Sequence, residues 1–153
     1  MVKQGGDTFW ARVDATSARD DADAAAFRVM ISDISDRKQS EVRLQLAACV
    51  FSHAREGIMI TAADGTIVEV NRAFTRITGY SREEVIGRNS RFLASERQDK
   101  AFYAARRHAL NEDGYWSGEV WNRRKDGELY VEMQTVSTVP DVQGKIRQVV
   151  TLF

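Results

Sequence analysis

Asn71-Arg-Ala-Phe-Thr-Arg-Ile-Thr-Gly79 is the stretch on which the fold of this chain turns. Asn71 is placed to cap a short helix holding Ala73, Phe74 and Ile77, because its side-chain oxygen can accept from an early helical N–H. The helix ends at Gly79-Tyr80. Upstream, Asp64-Gly65 is a hairpin signal between predicted strands 57–61 and 67–70. Downstream, Ser81 and Glu84 stand at capping-box spacing, with Gly87 as the helix stop. Residues 99–111 predict a helix with Phe102, Ala105 and Ala109 on one side, ended by Gly114. Strands follow at 116–123, 128–139 and 145–153, joined by Asp126-Gly127 and Asp141-Val-Gln-Gly144. The expected fold is α+β, a five-stranded antiparallel sheet with helices on one face.

A second block, Trp116-Ser-Gly-Glu-Val-Trp-Asn-Arg-Arg-Lys-Asp-Gly-Glu-Leu-Tyr130, sits about forty residues beyond the first. Together the two blocks resemble the PAS domain family, small sensor modules of bacterial signalling proteins. The Asn71 helix is similar to that family's short helix after strand two, and Trp116–Tyr130 to its hairpin of strands three and four. The resemblance implies the spatial strand order second, first, fifth, fourth, third.

The bulk numbers bound the function. A chain of 153 residues suits one domain and something extra, and 43% apolar residues suffice for a packed core. A formal net charge of zero leaves no electrostatic footprint for nucleic acid or an anionic membrane. The apolar runs are far shorter than a bilayer span, and no signal-peptide pattern opens the chain. The single cysteine, Cys49, excludes an intrachain disulfide and is compatible with a reducing compartment, so a cytoplasmic location is expected. Cys49 reads as a small apolar helix residue rather than a redox switch.

The chain also repeats itself. Gly6-Asp-Thr-Phe-Trp-Ala-Arg-Val13 resembles Gly127-Glu-Leu-Tyr-Val-Glu-Met133, and Phe27-Arg-Val-Met-Ile31 resembles Val149-Val-Thr-Leu-Phe153. Phe9, Ala11, Val13 and Ala15 alternate with Trp10, Arg12, Asp14 and Thr16, which predicts a strand. A charged loop over 17–26 leads to a strand at 27–32. Residues 1–35 therefore read as the C-terminal strands of an upstream PAS domain, with Asp33-Ile-Ser35 resembling the family's closing Asp-Ile-Thr. The chain is expected to be an excised piece of a longer protein, and 1–34 are expected to stay out of the main sheet. Over 36–53, Val42, Leu46, Cys49 and His53 recur at helical spacing, which predicts a linker helix of coiled-coil type. Residues 54–153 are expected to be a PAS domain that stops at Phe153, where its own copy of the closing signature should begin.

No catalytic set appears. His53 and His108 lie on separate helices, and there is no Gly-x-Ser-x-Gly elbow and no glycine-rich phosphate loop. No metal site is expected either. The ligand place is the space between sheet and helices. Phe74, Ile77, Asn89, Ser90, Phe92, Leu93, Phe102, Trp116, Val120 and Asn122 are expected to face it. A buried Asn122 costs free energy unless bonded to a ligand, a backbone group or water.

Gly87-Arg-Asn-Ser-Arg-Phe-Leu93 is similar to the light-sensing PAS subgroup, whose motif has cysteine where this chain has Ser90. That subgroup's late glutamine falls at Phe153 and its strand-four asparagine at Glu132, whereas Asn122 matches its strand-three asparagine. Ser90 lacks a thiol's nucleophilicity, so an FMN photoadduct is not expected. The strings Asn71-Arg-Ala-Phe74, Trp116-Ser-Gly118 and Asn122-Arg-Arg-Lys125 also resemble redox-sensing PAS domains that hold FAD, although their pocket tryptophan falls near Arg107. Haem-binding members place a histidine where this chain has Gln98-Asp99, so haem is not expected. The leading expectation is a pocket that is empty or holds a small molecule, with FAD behind it. Arg123-Arg-Lys-Asp126 reads as a hairpin cap rather than a phosphate patch.

The resulting expectation is a non-enzymatic sensory module of a multidomain signalling protein, detecting a small ligand or redox state. Its Asn-Arg-Arg-Lys-Asp-Gly-Glu string resembles modules attached to cyclic-di-GMP synthesis and hydrolysis domains. A homodimer through helix 36–53 and the sheet is expected. The alternatives are a ligand-free dimerisation module and an FAD-binding redox sensor of a histidine kinase.

Overall fold

The computed structural model describes residues 8–19 and 25–153. The Gly6-Asp7 part of the internal repeat and the centre of the predicted loop, 20–24, lie outside the described residues. The chain divides into two units, residues 1–48 and 49–153. No described helix is long and apolar enough to cross a membrane.

In the first unit, β1 (Ala11–Arg19) and β2 (Ala25–Asp33) form a two-stranded antiparallel sheet that stays out of the main sheet. Both strands run further than the alternation predicts, taking residues 17–19 and 25–26 from the expected loop, because each added residue extends the ladder from Ala11↔Asp33 to Arg19↔Ala25. At the exit, Asp33 Oδ1 accepts from Ser35 N (3.0 Å), and helix α1 (Ser35–His53) begins there.

In the second unit the sheet is β3 (Ile58–Ala62), β4 (Ile67–Val70), β5 (Tyr115–Arg123), β6 (Leu129–Pro140) and β7 (Ile146–Leu152). Its spatial order is β4-β3-β7-β6-β5, all neighbours antiparallel, as the sequence implies. Period-two alternation sends Met59, Thr61, Val120, Asn122, Tyr130, Gln134, Val136 and Thr151 into the interior. Asp64-Gly65 turns β3 into β4, with Gly65 at φ +87°, a region an L side chain rarely adopts.

Asn71 caps α2 (Arg72–Thr78) by accepting from Phe74 N at 2.9 Å. Gly79 ends α2 in the left-handed region, where an added Cβ would stand 3.3 Å from Lys125 Cβ. The Ser81–Glu84 capping box opens α3 (Arg82–Val85). Met59, Ile67, Val70, Phe74, Val85 and Leu93 make the core beneath these helices, with Tyr80, Ile86, Phe92 and Phe153 packed on it.

Helix α4 (Lys100–Glu112) departs from its predicted packing. Asp99, predicted inside the helix, caps it instead; the helix buries no residue, and of the predicted stripe Phe102 and Ala109 are half-buried while Ala105 is exposed. Phe102 instead meets Trp116 edge-to-face at 5.6 Å. That contact holds α4 near the start of β5, and another of its faces borders a cavity.

Candidate functional site

The cavity encloses about 660 Å³ between α4 and the sheet. Met59, Val120, Asn122 and Gln134 form its floor, and a single 3-10 turn, Ser90–Leu93, forms one wall. Lys100, Tyr103, Ala104, Arg106, Arg107 and Leu110 of α4 form the opposite wall.

The 87–93 segment is held by its own polar groups. Asn89 Oδ1 accepts from Arg91 N (3.1 Å), and Asn89 Nδ2 donates to the Asp64 carbonyl (2.9 Å). Ser90 N donates to Gly65 O at 2.9 Å. These bonds tie the wall to the β3–β4 turn and present Ser90 to the cavity. Beyond the turn, Ala94 bridges to Asn122, and Ser95 Oγ donates to Trp121 O at 2.7 Å. The free edge of β5 is thereby covered.

The floor is built around a half-buried carboxylate, Glu132. Asn122 Nδ2 and Gln134 Nε2 both donate to Glu132 Oε1, at 2.7 and 2.6 Å. The amide donors of the floor are thus turned toward Glu132. Gln134 Oε1, Glu132 Oε2 and the hydroxyls of Tyr130 and Tyr103 are buried without a hydrogen-bond partner among the described residues. Each such group costs roughly 1–3 kcal/mol unless something bonds it. Burial pushes the Glu132 carboxyl above its ordinary range, against the pull of its amide donors. Burial, and then the adjacent Glu132 carboxylate, pushes the Tyr130 phenol well up.

The walls are cationic. Arg91, Lys100, Arg106 and Arg107 line the cavity, and no carboxylate is among its lining residues. Arg106 sits 5.0 Å over the Trp116 ring, and its own burial lowers its pKa. The arrangement suits a ligand with a hydrogen-bonding ring edge and an anionic end.

Of the residues expected at the site, Ser90, Leu93, Val120 and Asn122 come together on the cavity. Phe74 is fully buried in the core, edge-on to Phe153 at 5.9 Å. Ile77 borders a separate hollow with Arg76, Gly79 and Lys125. Asn89 is an exposed brace, and Phe92 packs on Tyr80 at 4.9 Å under Arg88. Phe102 and Trp116 pair with each other. Sequence reasoning missed Gln134 and the α4 cations. Alternation along 130, 132 and 134 carried the signal for Gln134, and the spacing of Lys100, Tyr103, Arg107 and Leu110 carried it for α4. The Arg123–Asp126 run braces its hairpin: Arg124 pairs with Glu128 (2.9 Å) and covers Tyr130, and Lys125 pairs with Glu84, which holds that carboxyl below its usual range.

Glu132→Gln is expected to change how stability depends on pH. With its folded-state pKa raised, Glu132 contributes stability below the ordinary carboxylate pKa and loses it as pH rises through the raised value. The variant keeps the acceptor for both amides and has no proton to lose. Urea midpoints should coincide with the parent's in acid and exceed them at higher pH. Parallel curves across that window would contradict the burial of this charge.

Comparison with known proteins gives a consistent answer. A family model described as PAS domain matches residues 55–153. The "Blue-light photoreceptor" of Listeria monocytogenes is 38% identical over 88 residues, covering 56% of this chain and 35% of that protein. The "Blue-light-activated histidine kinase" of Rhizobium johnstonii is 35% identical over 115 residues, covering 73% and 33%. The chain thus spans about a third of each of these relatives. A solved PAS domain from Colwellia psychrerythraea superposes with a TM-score of 0.68 at 21% identity, covering 72% of this chain and 93% of that one, which bears on the fold.

Proposed function

Because this chain belongs to the PAS domain family, matched over residues 55–153, we propose that it is the sensory module of a signalling protein and that its cavity holds a flavin nucleotide. The observation that carries this reading is the floor: Gln134, whose buried Oε1 has no partner among the described residues, lines a cavity whose walls are cationic. The volume, about 660 Å³, falls in the range of small-molecule sites. These features, with two relatives named for blue light, favour a flavin over the pocket that is empty or holds another small molecule.

Gln134 and Asn122 would meet the ring edge, and Arg91, Lys100 and Arg107 would neutralise the phosphates. A bound flavin supplies visible absorption and reversible electron uptake. Ser90 offers that ring no thiolate, so the state sensed is redox rather than a light-formed thioether. FMN and FAD share the recognised chemistry.

Titrating the purified chain with FMN and with FAD should quench flavin fluorescence saturably. Blue light should leave the bound spectrum of the parent unchanged, while Ser90→Cys should bleach reversibly. Absence of quenching by either flavin would overturn the ligand, leaving the alternative of a ligand-free interaction module.

Two output domains fit different observations. The Asn122-Arg-Arg-Lys-Asp-Gly-Glu128 string favours cyclic-di-GMP synthesis or hydrolysis, and the Rhizobium relative favours a histidine kinase. In either case α1 is the proposed relay and dimer contact. Its Val42, Leu46 and Cys49 are exposed, and so are Leu44 and Val50, which fall off the predicted stripe. An apolar helix surface of this kind is stabilised by a partner. The outer face of the sheet adds exposed Val131 and Met133. Leu46→Glu should convert a sedimenting dimer to monomer without unfolding the sheet, and a parent that sediments as a monomer would remove the idea.

A further inference from the structure

The β1–β2 hairpin has one apolar face. Its antiparallel pairs place Val13 opposite Ile31, Ala15 opposite Val29 and Ser17 opposite Phe27, all on the same side. Val13, Phe27, Val29 and Ile31 on that side are each more than half exposed, at 54, 76, 55 and 53%. The opposite side carries Arg12, Asp14, Thr16, Arg28 and Ser32, with Met30 its one large apolar residue among these pairs. A lone two-stranded hairpin is marginal in water, so a face of this composition needs a cover.

What covers it is indicated by register. The internal repeat aligns Gly6 with Gly127 and Phe27 with Val149, shifts of 121 residues for β1 and 122 for β2. Applied to the pairs of the hairpin, these shifts carry Asp14–Met30 onto Thr135–Leu152, Ala15–Val29 onto Val136–Thr151 and Ser17–Phe27 onto Thr138–Val149. Each of these is an actual pair of β6 and β7. The similarity in sequence and the pairing in space therefore agree to the residue. A slip of one position would have exchanged the two faces of a strand.

Under the same shifts, Ala15 and Val29 correspond to Val136 and Thr151, which are 0 and 2% exposed on the inner side of the five-stranded sheet. We propose that Val13, Phe27, Val29 and Ile31 are the inner face of a second PAS unit. Its remaining strands and helices, counterparts of residues 55–126, precede this hairpin in the same polypeptide and cover that face. Strand exit supports the assignment, because Asp33 and Ser35 turn β2 directly into α1, the position of a helix joining two units. The inference rests on the hairpin alone and stands whether or not flavin binds.

The first test is the coding sequence ahead of Met1. It should encode counterparts of the Asn71–Gly79 helix and of the Trp116 strand at the same shifts; a native start at Met1, or unrelated sequence there, overturns the proposal. The second is hydrogen exchange on the chain produced with that sequence. Hairpin amides, expected to be nearly unprotected in the 153-residue chain, should slow by on the order of a hundredfold or more, since they would open only with a whole domain. Val29→Asp should abolish that gain and leave residues 55–153 unchanged. Protection that is absent from the extended chain, or that grows with the concentration of the 153-residue chain and so marks a second copy as the cover, would overturn it.

Discussion

Asn71→Ala is expected to destabilise the domain by about 3–5 kcal/mol, a large part of what a domain of this size has. The side chain is 3% exposed and serves four backbone groups. Its Oδ1 accepts from Phe74 N and Ile58 N, both at 2.9 Å, and its Nδ2 donates to Phe51 O at 3.1 Å and Glu56 O at 2.9 Å. The cap alone contributes about 1 kcal/mol. The remaining cost comes from backbone groups left in the interior without partners, at roughly 1–3 kcal/mol each where water cannot reach. One amide thus fastens the start of α2, the start of β3 and the chain leaving α1. Equilibrium urea unfolding would register the change as a lower midpoint at unchanged slope. A loss under about 1 kcal/mol would mean that water replaces these bonds.

Val120→Trp is expected to lower flavin affinity by at least a hundredfold, about 2.7 kcal/mol, while the sheet stays folded. Val120 lies on β5 between Gly118 and Asn122, and the pleat directs its side chain into the cavity. In a close-packed core an indole there would cost roughly 1–3 kcal/mol in strain. Val120 is 2% exposed yet borders the cavity, so an indole there should carry strain of that order as well as take up ligand space. Fluorescence titration with FMN and FAD, alongside far-ultraviolet circular dichroism, separates the two effects. Unchanged affinity in a folded variant would place the ligand elsewhere. Affinity lost together with the fold would be resolved by Gln134→Leu, which removes the orphaned acceptor with little change in volume and should weaken binding while sparing the sheet.

The determinants of the fold are local, and for that reason they can be read directly along the chain. Asn71 needs only the next three residues to cap α2, Ser81 and Glu84 need only each other, and Gly65 needs only its own backbone torsion. Alternation over β5 identifies Trp116, Gly118, Val120 and Asn122 as one face without knowledge of any partner strand. The repeat between the hairpin and β6–β7 is likewise a property of the linear chain, and the register of both pairs conforms to it.

The site followed a different logic, because it depends on which of two available surfaces each element turns inward. Phe102 could have served the core and instead pairs with Trp116, which leaves Lys100, Arg106 and Arg107 along a cavity. Phe74 belongs to a face that reads as pocket, yet Phe153, at the far end of the chain, closes over it. Glu132 reads as a substitution at an asparagine position; only the approach of β5 to β6 makes it the shared acceptor of Asn122 and Gln134. Hydrogen-bond caps and strand alternation are settled within a few residues, so sequence alone determined the elements and their order. Burial and charge pairing at the cavity arise between segments tens of residues apart, and those only the tertiary structure decided.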